Sequence, residues 1–182
     1  MRASSHEIST LALTLMGSQV LESLSETSIG FIANASRSLK AFYYPNKEQI
    51  AICITLLLIG AILPDIDKAN TKISKKLKGF YIPFIGHRTY THAIYIPCGL
   101  LLLSGIYSPL KYLALGYFLH LVEDSMSKSG TKPFYPLSFR CALKLYRTGK
   151  LSERLVTLII VIGALLTIYL NPDLLSIWGF QV

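Results

Sequence analysis

The stretch QIAICITLLLIGAILPDID, residues 49–67, decides how this chain is read. Gln49–Pro64 carries no charge, ends in a proline, and is followed at once by Asp65 and Asp67. Its length is near the lower limit of about 17 residues for crossing a bilayer. Pro64 disfavours α geometry at Leu63, so the helix is expected to stop there. The aspartates then stand at a helix C-terminus, where the macrodipole disfavours negative charge and a cation would offset the cost. A solvated Asp-Pro turn is the plainer alternative.

Outward from this stretch the chain repeats its grammar. Ala93–Leu110 and Leu155–Pro172 are also uncharged, and Ile8–Leu21 and Tyr112–Val122 are shorter apolar segments. The 182 residues are 52% hydrophobic and only 15% charged, against roughly 25% charged in an average soluble protein. The net charge of +8 therefore reads as basic flanks of membrane helices rather than as a nucleic-acid surface. Six Lys/Arg lie in 65–92 and seven in 125–154, together 13 of the 18. The positive-inside rule puts both loops in the cytoplasm, so an even number of crossings must separate them, and Ala93–Leu110 with Lys111–Val122 supply two. The expected architecture is one all-α domain over 1–182, an integral membrane bundle of about five helices. The three cysteines lie far apart and form neither a disulfide framework nor a thiolate metal site.

This topology gathers the polar chemistry at the cytoplasmic helix ends. HLVED places His120 and Asp124 at i and i+4, on one helix face and within reach of one ion. His120 lies inside an apolar segment, where an ionisable group is costly and marks a functional candidate. GHRTYTH carries His87 and His92, five apart and so not aligned on one helix. Thr91 is a candidate N-cap for a helix starting near His92, and Arg88 beside it suits an anion, or simply anchors the loop at the membrane. His6 opens the first apolar segment and Glu153 the last. Glu153 is either a favourable charge at a helix start or a catalytic base. Imidazoles with carboxylates and no thiolate suit Zn²⁺ or Mn²⁺ in an open hydrolytic site. No P-loop, GxGxxG or nucleophile elbow occurs.

LPDID, GHRTYTH and GYFLHLVEDSMSKSGTKPFYP together resemble the YdjM-like family of bacterial inner-membrane proteins, in order and spacing over residues 6–154. The resemblance implies a metal-dependent hydrolase of the inner membrane, with one branch of the family under SOS control. The family patterns read LPDiD, HRGxTHS and GYxSHxxxDxxTxxG. Thr89 stands here in place of the glycine, Leu119 of the serine and Ser127 of the threonine. The ligand pattern is more loosely similar to zinc-dependent phospholipase C. That likeness implies Asp65, His92, His120 and Asp124 on one metal, with His6 joining Asp124 on a second.

The expectation is a hydrolase holding one or two divalent ions through Asp65, His92, His120 and Asp124, with His6 and Asp67 as further ligands. Its metal-activated water would act on a phosphoester, in a lipid headgroup or close to the membrane, with membrane lipids as partners. Arg88 and His87 would hold the phosphate. The rival is a non-enzymatic membrane protein, an assembly or stress-response factor, whose metal is structural.

Overall fold

A computed structural model describes residues 3–25, 32, 34–37, 49–67 and 89–173. Helix α1 spans Ala3–Ser25, α2 Ile50–Ile62, α3 Tyr95–Leu103, α4 Leu110–Met126 and α5 Leu151–Leu170. Among the described residues there is no β-strand, only isolated bridges joining Ser127 to Tyr146 and Thr131 to Cys141. The chain is all-α.

Local chemistry explains where the helices begin and end. Pro64 supplies no N–H, so the carbonyl of Gly60 loses its i+4 donor, and α2 tightens into a 3₁₀ segment, Leu63–Asp67. Leu63 itself keeps α geometry, with φ −61 and ψ −38. The stop thus comes from the missing donor, not from the displacement of Leu63 expected above. The run 93–110 also differs from its reading. Its helix covers Tyr95–Leu103, and turns occupy 104–109 around Gly105 and Pro109. Thr91 does not cap α3, whose N-cap position is Ile94. Helix α1 runs well beyond its apolar segment at both ends. Three of its hydroxyls bond back to its own backbone: Ser9 donates to Ser5 O at 2.6 Å, Thr14 to Thr10 O at 2.7 Å and Ser18 to Thr14 O at 2.9 Å.

Helices α2 and α4 meet at glycines. A Cβ on Gly60 would overlap the carbonyl oxygen of Leu113 and come within 2.9 Å of Tyr117 N. One on Gly116 would overlap Leu57 O and come within 3.0 Å of Ala61 N. Only bare backbone lets the two helices approach this closely, which is a packing mode common between membrane helices. Cys53, Leu57 and Tyr112 form the buried core, with Leu15, Leu56 and Leu115 against it. Helix α1 packs on α5, α2 and α4, and α3 on α4.

Much apolar surface stays outside this core. Leu102 is 83% exposed, Ile106 88%, and α5 exposes leucines and isoleucines around most of its circumference. Among the described residues α5 is the one helix long and apolar enough to cross a membrane. Its mean hydropathy is 2.0 and 17% of it is buried, whereas a soluble core helix of that composition would be mostly covered.

Between α4 and α5 the chain makes an irregular hairpin. Leu143 N–H donates to Ser125 O at 2.8 Å, Leu145 N–H to Met126 O at 2.9 Å and Lys128 N–H to Tyr146 O at 2.8 Å. Gly130, at φ +63, turns the chain where a Cβ would strike Cys141 O. The hairpin is thereby tied to the end of α4, and Ile94 N–H donates to Pro133 O at 2.8 Å to tie it to the start of α3.

Candidate metal centre

Helix α4 supplies the floor of the site. Its close crossing with α2 brings the Ala61 carbonyl to 2.6 Å from His120 Nδ1. A carbonyl only accepts, so Nδ1 carries the proton and Nε2 keeps its lone pair. One turn on, Asp124 lies on the same face, its Oδ2 3.9 Å from His120 Nε2.

His92 comes from the 3₁₀ segment Tyr90–His92. Its Nδ1 lies 3.0 Å from Thr91 Oγ1, and its Nε2 lies 3.5 Å from Asp124 Oδ2. The phenol of Tyr117 on α4 donates to Thr91 O and so pins this segment over the helix. Thr91, expected as a cap, instead holds the ring of His92.

His6 arrives from α1. Its Nδ1 is hydrogen-bonded to Glu123 Oε2, while Glu123 Oε1 accepts from Thr10 Oγ1 at 3.2 Å. A buried imidazole–carboxylate pair shares a proton between these atoms and leaves His6 Nε2 facing Asp124 Oδ1 at 3.7 Å. The main chain of Glu123 is held in turn, its carbonyl accepting from Tyr146 OH at 2.6 Å.

Each of the three imidazoles is thus held through Nδ1 and presents Nε2 to one carboxylate. The rings of His6 and His120 stack at 3.9 Å with planes 22° apart, and His92 sits edge-on to His120 at 5.4 Å. Two overlapping groups, His6–Asp65–His120 and His92–His120–Asp124, have ligand atoms within 4.8 Å of one another. The histidines are fully buried, Asp124 is 1% exposed and Asp65 8%. The Nε2 atoms of His6 and His120 make no hydrogen bond although they are buried. Buried nitrogens are normally satisfied, and a cation is what two stacked lone-pair donors beside carboxylates lack. These residues fit a divalent ion bound by nitrogen and oxygen. His120 Nε2 has one lone pair and serves one ion, so the two groups describe one centre rather than two independent ones.

The other expected residues lie elsewhere. The backbone of Asp67 ends the 3₁₀ segment after α2, but its side chain lies outside the described residues, as do His87 and Arg88. Glu153 is buried in the first turn of α5 and belongs to neither group. Its carboxylate accepts from the Gly149 N–H and closes the turn into that helix. Sequence reasoning missed Glu123 altogether. The signal was available, because Glu123 continues an apolar segment just as His120 interrupts it, and an ionisable group there calls for a partner.

Comparison with known proteins agrees with this helical, apolar chain. No solved structure matches it. YvsG of Bacillus subtilis (strain 168) is 33% identical over 106 residues, 54% of this chain and 66% of YvsG, so the match spans just under two thirds of that relative. The inner membrane protein YdjM of Escherichia coli (strain K12) is 24% identical over 140 residues, covering 69% of this chain and 71% of YdjM. Its namesake in Shigella flexneri matches to the same extent. The YdjM inner membrane protein family matches residues 1–176, nearly the full length, and this chain belongs to that family.

Proposed function

We propose that this chain is a multi-pass inner-membrane protein whose buried His/Asp centre binds a divalent ion, most simply zinc, and hydrolyses a phosphoester at the cytoplasmic membrane surface. The observation that carries the reading is the convergence of three imidazole Nε2 atoms on Asp124, each ring fixed from behind through Nδ1. The apolar circumference of α5, the glycine-to-glycine crossing and the family's inner-membrane description support the membrane placement. The basic loops 65–92 and 125–154 support a cytoplasmic site.

His6, His92, His120, Asp65 and Asp124 would hold the ion. A divalent ion in such a site supplies a Lewis acid for a phosphoryl oxygen and makes a water nucleophilic near neutral pH. The chain's own part is orientation. Ala61 O, Thr91 Oγ1 and the Glu123 carboxylate fix the three rings, and the packed helices exclude bulk water. Asp65, on the segment leaving α2, is the least buried of these donors, at 8% exposed. Arg88 and His87, a few residues before His92, would meet the phosphate from the same loop.

One observation favours a second reading, in which the ion is structural. The donors are buried almost completely, and structural sites are closed whereas catalytic ones keep a position for water. The deciding experiment purifies the protein in mild detergent, measures bound metal by mass spectrometry and screens phospholipids and soluble phosphoesters for turnover. The hydrolase reading expects metal near stoichiometric and turnover abolished by Asp124→Asn. Metal without turnover selects the structural reading. Folded protein with no metal even after incubation with zinc or manganese overturns both. The ratio of metal to protein also gives the number of ions.

A further inference from the structure

We propose that the hairpin 127–150 is a lipid-binding surface that lies flat on the leaflet and engages anionic phospholipid headgroups. Five of its large apolar side chains point outward: Phe134 is 49% exposed, Leu137 65%, Phe139 57%, Leu143 61% and Leu145 57%. Among them stand exposed Lys128, Arg140, Lys144, Arg147 and Lys150, and residues 125–152 contain no acidic residue. A basic, apolar segment of this kind is built for a membrane interface, where aliphatic and aromatic groups enter the headgroup–acyl boundary and the cations meet lipid phosphates.

The exposure is imposed by the fold. Hydrogen bonds from Leu143 and Leu145 to the last turn of α4 fix the backbone, and Tyr146 turns inward, 2% exposed, to bond Glu123 O. The neighbours of Tyr146, Leu145 and Arg147, are thereby directed outward. The segment also starts at the end of α4 and runs directly into α5, the most membrane-like helix, at Leu151. With both ends fastened to helix ends, it cannot reach far from the plane in which those helices terminate.

Charge narrows the choice of occupant. A second copy of the same face would bring like charges together, and the chain's other basic loop, 65–92, is itself net positive, with six Lys/Arg against two aspartates. A nucleic acid could use the cations and stack on Phe134 and Phe139, but it offers nothing to Leu137, Leu143 and Leu145. An anionic bilayer satisfies both sets at once.

The test uses the full chain, whose single tryptophan, Trp178, is first replaced by Trp178→Phe. Phe139→Trp or Leu143→Trp then serves as reporter in protein reconstituted into phosphatidylcholine vesicles with or without phosphatidylglycerol. We expect both reporters to be quenched by brominated acyl chains and shielded from aqueous iodide. The bromolipid quenching should be severalfold stronger with phosphatidylglycerol and should weaken as salt is raised. The triple change Arg140→Gln, Lys144→Gln, Arg147→Gln should abolish the preference for anionic lipid and leave the thermal midpoint in place. Free access of iodide to both reporters overturns the proposal, as does equal quenching in the two lipid mixtures. Shielding that appears only on adding single-stranded RNA also overturns it and assigns the face to nucleic acid.

Discussion

Glu123 shows how much of the centre depends on a residue that need not touch the ion. It holds His6 Nδ1, and Thr10 holds Glu123. Partners behind a metal-ligating histidine typically contribute 10–100-fold in affinity. Glu123→Ala is therefore expected to weaken metal binding by about that range, and Glu123→Gln by less, because an amide oxygen can still accept from Nδ1–H. Competition with a chromophoric chelator measures both. Equal affinity in the wild type and both variants would remove Glu123 from the centre. The pair 120/124 is legible in the sequence because i and i+4 share a helix face. Asp65 is legible because Pro64 marks where the helix must yield. Glu123 with His6 is not, since the two lie on different helices far apart in the chain and nothing local links them. Thr91 does not cap a helix for a related reason: Tyr117, on a helix distant in sequence, binds its carbonyl and holds the segment, and its hydroxyl turns to His92 instead.

At the level of elements, the α2–α4 crossing is the feature on which the rings depend. Gly60→Ala or Gly116→Ala puts a methyl group against backbone of the facing helix, which cannot rotate away as a side chain could. Overpacking typically costs about 1–3 kcal/mol, and a backbone obstacle places these changes at the upper end. The separation also draws Ala61 O away from His120 Nδ1. Both variants should lower the thermal midpoint and weaken metal binding together. Gly17→Ala and Gly99→Ala, whose added Cβ meets nothing within 4 Å, should leave metal binding unchanged. A differential scanning measurement paired with chelator competition checks the contrast. The helical class was readable from the apolar runs, but the lengths were not. The run 93–110 is uniformly apolar, yet its helix stops at Leu103, because Gly105 and Pro109 favour turns that hydropathy does not register. Helix pairing was invisible for a related reason: helices apolar on every side carry no stripe to say which face meets which neighbour.

For the whole molecule, the charge asymmetry predicts orientation. If the hairpin between α4 and α5 faces the cytoplasm, Thr148→Cys at its exposed end should resist a membrane-impermeant maleimide in intact spheroplasts and react in inverted vesicles, with Cys53→Ser, Cys98→Ser and Cys141→Ser removing the other thiols. Labelling from outside would reverse the topology and put the centre on the other face. The centre itself draws on distant parts of the chain: α1 gives His6, the end of α2 gives Asp65, the approach to α3 gives His92, and α4 gives His120 and Asp124. That distribution has a consequence for biosynthesis. Synthesis delivers His6 early, while Asp124 follows only when α4 has been made. A nascent chain halted before α4 carries isolated donors and no place for an ion. If the centre binds an ion as proposed, uptake must follow the synthesis of α4, and an occupied site would report that α1 to α4 had already come together rather than having helped them to start.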